Sequence, residues 1–403
     1  MKNLIPQVRF PEFAGEWEEI KLGELTAKIG DGLHGTPVYS EDSDIYFING
    51  NNLTNGKIEV TEKTKKVDYK IFAKNNKSLN ENSILISLNG TIGSISKYNN
   101  EKVMLGKSVG YFNFKESTDF YFHTFHTDKI QNFFITELTG STIKNLSLKT
   151  LRETIFLLPS LPEQTKIANF LTAVDEKLTA LNQKKTLLEQ YKKGVMQQIF
   201  AQELRFKDDN GNDFADWEEK KLGEVCINIS YGMNAAATTY DGKNKYLRIT
   251  DIEESSNGLN MDKATSPNGK LEDKFRVKIG DLLFARTGAS VGKSYLYREE
   301  DGILYFAGFL IRFHVKHAIP SFIYLYMQTY NYDKWIKVMS MRSGQPGINA
   351  EEYKLFEIPF PSLPEQTKIA NFLSAIDEKI NHCQEQIDQS TIWKKGLLQQ
   401  MFV

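Results

Sequence analysis

The chain has 403 residues, enough for two or three domains with cores of their own, and its 40% hydrophobic, 25% charged composition is that of an ordinary globular protein. A net charge of −1 argues against a general polyanion binder, and the balance holds locally: residues 1–158 carry 19 Lys and Arg against 19 Asp and Glu, and residues 204–359 carry 21 against 22. Only two cysteines, Cys226 and Cys383, rule out a disulfide framework; with no apolar run of about 18 residues and no signal-peptide-like start, the expectation is a cytoplasmic chain without a transmembrane helix.

In chain order, the sequence repeats itself. Arg9-Phe10 and Trp17-Glu18-Glu19 … Leu22-Gly23-Glu24 return as Arg205-Phe206 and Trp217-Glu218-Glu219 … Leu222-Gly223-Glu224. Residues 44–48 and 246–249 read as strands followed by polar turns, and Ser83–Ser87 and Asp281–Ala285 as a second equivalent pair. Each of the latter runs into a glycine loop, Asn89-Gly90-Thr91-Ile92-Gly93-Ser94 or Arg286-Thr287-Gly288-Ala289-Ser290-Val291-Gly292-Lys293. Residues 120–138 and 321–339 are aromatic-rich and predicted helical. Loops near 140–144 and 342–347 follow, and then a strand leads into a proline.

That proline opens the most alike stretch. Ser160-Leu161-Pro162-Glu163-Gln164-Thr165-Lys166-Ile167-Ala168-Asn169-Phe170-Leu171 recurs, letter for letter, at 362–373. Ser160 with Glu163, and Ser362 with Glu365, fit a capping box, with proline in the first turn. Ile167, Val174, Leu181, Leu188 and Val195 recur every seven residues, with Leu171, Leu178 and Ile199 four further on. In the second copy Ile369, Ile376 and Leu397 keep the period beside Leu373, Ile380, Ile387 and Met401, while Cys383 and Ser390 weaken the stripe. Sustained heptads predict a two-helix coiled coil over an ordinary amphipathic core helix, each helix on the order of 55 Å long. The expected fold class is α+β: two mixed, β-rich domains (1–158 and 204–360) separated and joined by two long helical spacers (159–203 and 361–403), as a pseudo-twofold tandem repeat.

Chemical motifs are sparse. Gly288-Ala289-Ser290-Val291-Gly292-Lys293-Ser294 is one residue short of a phosphate-binding P-loop, and its counterpart Gly90-Thr91-Ile92-Gly93-Ser94 has no lysine, so a glycine turn between strands is the better reading. Six histidines form no metal pattern, and neither a nucleophile elbow nor a dinucleotide fingerprint is present. No catalytic residues and no metal ligands are assigned.

The full pattern, with its Trp-Glu-Glu … Leu-Gly-Glu openings, strand–glycine loops and paired Leu-Pro-Glu-Gln helices about 200 residues apart, resembles the specificity subunit of type I restriction–modification systems. The resemblance implies that each globular part is a target recognition domain reading half of an asymmetric, bipartite double-stranded DNA site. It implies an antiparallel coiled coil that sets the half-site spacing and docks two modification (methyltransferase) subunits, which restriction (translocase and endonuclease) subunits then join. The specificity subunit would catalyse nothing and carry no cofactor; S-adenosylmethionine, ATP and Mg would belong to its partners. Arg or Lys suits guanine and Asn or Gln suits adenine. The candidate DNA-contacting residues near loops are therefore Asn49, Asn51, Asn52, Asn89, Thr91 and Lys144 in the first half. In the second half they are Arg248, Thr250, Arg286, Thr287, Lys293, Arg312, Arg342, Ser343 and Gln345. A coiled-coil scaffold that does not read DNA, and a nucleotide hydrolase built on the glycine loop, are the alternatives.

Overall fold

The computed structural model describes residues 4–116, 118–139, 144–253, 258–260, 264–341 and 346–403. The chain divides into two compact units: Met1–Gln183 with Gln384–Val403, and Lys184–Cys383.

In unit 1 the strands Thr26–Asp31, Val109–Phe114, Ser83–Ser87 and Ile95–Lys97 lie side by side in that order, all antiparallel. Every residue of Ser83–Ser87 and Val109–Phe114 is buried, which is why both read as continuous apolar runs rather than alternating ones. Ile45–Ile48 pairs in parallel with Val103–Leu105, and Glu18–Lys21 pairs antiparallel with Ile155–Leu158. Trp17, Phe112, Phe125, Phe134 and Phe156 fill the core beneath the short helices.

Unit 2 has the same plan. Cys226–Tyr231, Leu310–Val315, Asp281–Ala285 and Ser294–Leu296 form its four-stranded sheet. Lys245–Leu247 pairs in parallel with Leu304–Phe306, and Glu218–Lys221 pairs antiparallel with Glu357–Phe360. One glycine shows how closely the frames agree. A Cβ on Gly32 would lie 2.3 Å from the carbonyl oxygens of Leu105 and Gly106, and a Cβ on Gly232 would meet those of Phe306 (2.4 Å) and Ala307 (2.3 Å). Only glycine fits where these strands cross so closely.

The aromatic-rich segments are each two helices rather than one: Asp119–Phe125 then Asp128–Thr136, and Pro320–Tyr326 then Tyr330–Ser340. Thr127 and Thr329 make the breaks. Each hydroxyl accepts the N–H three residues on, from Ile130 and Tyr332, and so starts a new helix instead of continuing the old one. The strand expected over 246–249 also ends early, at Leu247, because Ile249–Asp251 is a 3-10 turn.

The long helices span Leu161–Phe200 and Leu363–Gln400. Within unit 1 the early part of the first meets the late part of the second: Asp175 pairs with Lys394 at 2.5 Å, and Phe170 packs edge-on against Trp393. Within unit 2 the relation is reversed, with Lys192 against Asp377 at 2.7 Å. The pairing is antiparallel. The apolar stripe does more than join two helices. Ile167, Leu171 and Met401 belong to the same core as Trp17 and Phe156, whereas Val195, Ile199, Ile369, Leu373 and Ile376 belong to that of Leu222 and Phe313. Val174, Cys383 and Ile387 are buried, and Cys383 fills the stripe it was expected to weaken; Leu178, Leu181, Leu188, Ile380 and Leu397 are half-buried. Both thiols are buried, and burial pushes that of Cys226 up to about 12.

The capping-box expectation is corrected. The Glu163 carboxylate, 1% exposed, accepts from Arg9 Nε and Nη2 (2.7 Å each), and Arg9 also donates to the carbonyls of Ala14 and Gly15. Glu365, fully buried, accepts from Arg205 Nε and Nη2 (3.2 and 2.9 Å) and from Trp217 Nε1 (3.0 Å). A forked guanidinium on a buried carboxylate outcompetes a reach-back to one backbone N–H. The adjacent glutamines close the helix starts, Gln164 on the Pro159 carbonyl and Gln366 on the Pro361 carbonyl.

Candidate nucleic-acid interface

In unit 1 four loops interlock where the central strands end. The strand Ile45–Ile48 runs into the turn Gly50–Asn52. Asn52 Oδ1 accepts the Asn49 N–H (2.9 Å) and Asn52 Nδ2 donates to the Glu59 carbonyl (2.8 Å). Asn49 Oδ1 accepts from Ser108 Oγ (3.0 Å), whose oxygen accepts the Gly50 N–H (2.9 Å). The glycine loop is tied in by Thr91 Oγ1, which donates to the Gly50 carbonyl (2.9 Å). Leu88 N donates to the Ser108 carbonyl and Leu146 N to the Leu88 carbonyl, both at 2.8 Å. Gly93 turns this loop at φ +81°, a left-handed conformation suited to glycine.

Unit 2 repeats the arrangement. Arg286 N donates to the Phe309 carbonyl (3.1 Å) and Ile348 N to the Arg286 carbonyl (2.9 Å). Ala307 N donates to the Leu247 carbonyl, as Gly106 N does to that of Ile48. The glycine loop closes identically: Gly292 N donates to the Ala285 carbonyl as Gly93 N does to that of Ser87. Matched backbone bonds make Arg286 the counterpart of Leu88, and Phe309 that of Ser108. Tyr231 and Asp31 correspond as the residues before Gly232 and Gly32.

The candidate residues therefore fall into two groups. In unit 1 the side chains of Asn49, Asn52 and Thr91 are spent on closing turns. Asn51, Asn89 and Lys144 keep side chains without a hydrogen bond among the described residues, with Asn51 and Lys144 exposed. In unit 2 Arg248 is committed: its guanidinium binds both carboxylate oxygens of Asp251 (2.9 and 2.7 Å), which raises its pKa further and closes the Ile249–Asp251 turn. Arg312 is 12% exposed and donates to Ser230 Oγ and the Arg276 carbonyl, an interior strut rather than a free reader. Lys293 reaches the Ile252 carbonyl at 3.4 Å, and exposed Thr250 leans on Asp251. Thr287 pairs by a backbone bridge with Gly347. Among the described residues the Arg286 side chain is hydrogen-bonded through Nε alone, to the Gly308 carbonyl (3.1 Å), and lies against the Tyr231 and Phe309 rings. Arg342, Ser343 and Gln345 lie outside the described residues.

Ser108, Tyr231 and Phe309 were not among the candidates. Tyr231 is an exposed aromatic just before Gly232, the counterpart of Gly32, and that position was its only signal in sequence; exposed Phe309 carried none, since the counterpart of its neighbour Gly308 is Lys107. The P-loop-like segment forms a 3-10 turn, Gly288–Ser290, between two strands and does not open a helix, so the aligned N–H groups of a phosphate cradle are missing there. Among the described residues, no His, Cys, Asp and Glu group is arranged to hold a metal ion, and no helix is long and apolar enough to cross a membrane.

Comparison with known proteins follows the same duplication. The chain is 28% identical over 220 residues to the putative type I restriction enzyme MjaX specificity subunit of Methanocaldococcus jannaschii, covering 52% of this chain and 50% of that one. It is 26% identical over 210 residues to the MjaVIII specificity subunit of the same organism, covering 52% and 47%. To the EcoBI specificity subunit of Escherichia coli it is 24% identical over 281 residues, covering 62% and 58%. The chain thus spans about half the length of the curated relatives it matches. Its fold is similar to that of the crystallised type I restriction–modification S subunit from M. genitalium (TM-score 0.62, 16% identity, 99% of both chains). It also resembles a chain from a structure describing complex assembly and conformational transition of the type I system (TM-score 0.53, 16% identity, 95% and 96%). The family model for the type I restriction modification DNA specificity domain matches twice, over residues 14–190 and 215–389, one match to each repeat, and the chain belongs to that family.

Proposed function

We propose that this chain is the sequence-specific DNA-recognition subunit of a type I restriction–modification complex. Each unit reads one half of an asymmetric bipartite site, and the antiparallel helices set the spacing between the halves and dock two modification subunits. The chain itself catalyses nothing. S-adenosylmethionine, ATP and Mg act on the modification and restriction subunits, in the cytoplasm. The observation that carries this reading is the contrast inside the loop clusters. The two frames agree in their backbone hydrogen bonds, while the side chains they present differ: Leu88, Asp31 and Ser108 in one, Arg286, Tyr231 and Phe309 in the other. A duplicated frame with unlike tips suits a device that reads two unlike half-sites, and base edges are read by such side chains while backbone contacts only position. Asn51, Asn89 and Lys144 in unit 1, and Arg286, Thr287, Thr250 and Lys293 in unit 2, are the residues proposed to face DNA. Arg342, Ser343 and Gln345 belong to the same proposal by their sequence position.

Genome-wide adenine-methylation mapping tests this, in cells holding the cognate modification subunit with and without the chain. The expected result is a split, asymmetric motif present only with the chain. An active modification subunit with no chain-dependent motif would overturn the reading in favour of a scaffold.

A further inference from the structure

We propose that Arg286 is a guanine-reading residue of unit 2, pre-positioned by an aromatic clamp of Tyr231 and Phe309, and that unit 1 has no counterpart. The inference deepens the DNA-recognition reading and rests on it.

Of the described arginine candidates, Arg248 has its guanidinium spent on Asp251, and Arg312, largely covered, has its own on Ser230 and the Arg276 carbonyl. Arg286 differs. Its backbone is fixed on both sides, N–H to Phe309 and carbonyl from Ile348. Its Nε donates to the Gly308 carbonyl at 3.1 Å, which fixes the plane of the guanidinium. The guanidinium carbon lies 5.1 Å from the Tyr231 ring centre and 5.9 Å from that of Phe309. Tyr231 is itself anchored, its hydroxyl accepting the Ala350 N–H at 3.1 Å. The two Nη groups have no hydrogen-bond partner among the described residues and are not sealed from solvent.

This is an arginine whose entropy of ordering is already spent, with a two-donor edge left open. Such an edge matches the paired acceptors O6 and N7 of guanine. The clamp residues are 42% and 57% exposed, so they hold the guanidinium at the surface rather than in the core. A phosphate would also accept from the fork, but it needs no fixed plane; the rigid setting favours a base edge. In unit 1 the same three places hold Leu88, 3% exposed, with Asp31 and Ser108. Asp31 there takes His34 as its partner at 2.7 Å, so no fork can form.

The test uses the full chain assembled with its modification subunit and duplexes carrying the motif found by methylation mapping. Each guanine is replaced in turn by 7-deazaguanine, which lacks the N7 acceptor. For the wild type, one replacement in a single half-site should weaken binding by about 5- to 140-fold. Arg286→Ala should bind the natural duplex more weakly and no longer sense that replacement, while the other half-site is read as before. Arg286→Lys keeps the charge without the fork and should fail to restore the sensitivity. Tyr231→Leu should reduce it, and Tyr231→Phe, which keeps the ring, should retain it. If Arg286→Ala weakens motif and scrambled duplexes equally, Arg286 is a phosphate contact and the proposal falls while the DNA-recognition reading stands. If the wild type does not distinguish motif from scrambled duplex, the DNA-recognition reading itself falls.

Discussion

In unit 1 the strand Ile45–Ile48 ends in a turn closed by two asparagines; in unit 2 its counterpart ends in a turn closed by an arginine and an aspartate. The backbone work is the same, and the chemistry is not. A deeper pair of sites behaves the other way. Arg9 on Glu163 and Arg205 on Glu365 are the same contact made twice, and Phe10 on Phe170 repeats as Phe206 on Phe372. The units therefore agree where the long helix enters the core and differ where the loops meet solvent. Shared residues mark the anchor, and unlike residues mark the proposed reading surface.

The largest expected break in this symmetry comes from removing residues 397–403. Leu397, Leu398, Met401 and Phe402 pack into the unit 1 core, and at about 1.5–3 kcal/mol per buried apolar side chain their loss is comparable with a domain's whole stability. Hydrogen exchange should show Ser83–Ser87 and Val109–Phe114 losing protection while Asp281–Ala285 and Leu310–Val315 keep theirs. Equal loss in both units would mean they do not unfold separately.

Next is Arg9→Ala, which leaves the Glu163 carboxylate buried and unpaired at a cost of about 3–5 kcal/mol. Arg205→Ala should cost less, by about 1–2 kcal/mol, because Trp217 Nε1 still donates to Glu365 whereas Trp17 Nε1 is buried with no hydrogen-bond partner among the described residues. Denaturant titrations of the two variants compare them directly.

Acid should separate the units further. His123 is 1% exposed beside Lys97 and Lys394, and burial, followed by those charges and His126, pushes its pKa down to about 3. The unfolded chain takes up this proton near pH 6.5 and the folded unit does not, so stability is full above pH 6.5 and declines as pH falls from there towards 3. The slope reaches about 1.4 kcal/mol per pH unit. Unit 2 carries Leu325 at the corresponding position, four residues before Thr329 as His123 is four before Thr127, and a buried leucine has no proton to exchange. His123→Gln should flatten the acid slope of unit 1 alone. The smallest effect belongs to Asn51→Ala, an exposed change within about 0.5 kcal/mol in stability that, under the proposed function, relaxes one position in the half-site read by unit 1.

The duplication, the long helices and the strand–glycine loops were legible in sequence because each is local or periodic. What escaped was carried by contacts between distant residues. Glu163 looks like a cap from its neighbours, and its partner lies 154 residues away. Arg312 looks like a free cation until the fold brings Ser230, 82 residues away, against it; Arg248 is the local exception, its partner Asp251 lying only three residues on. The helix breaks at Thr127 and Thr329 were readable in principle, since threonine before an acidic or polar first turn is a start signal, but the surrounding aromatic run concealed them. Arg286 was visible as a candidate; the clamp that distinguishes it from the other arginines was not.

The membership of unit 1 has a consequence for how the protein is made. Residues made before Lys184 share a core with Met401 and Phe402, made about two hundred residues later. Unit 2, Lys184–Cys383, is contiguous and can close as soon as it has left the ribosome. The first-made half waits with part of its apolar surface uncovered, through some two hundred further residues of translation, for the closing turns of the last helix.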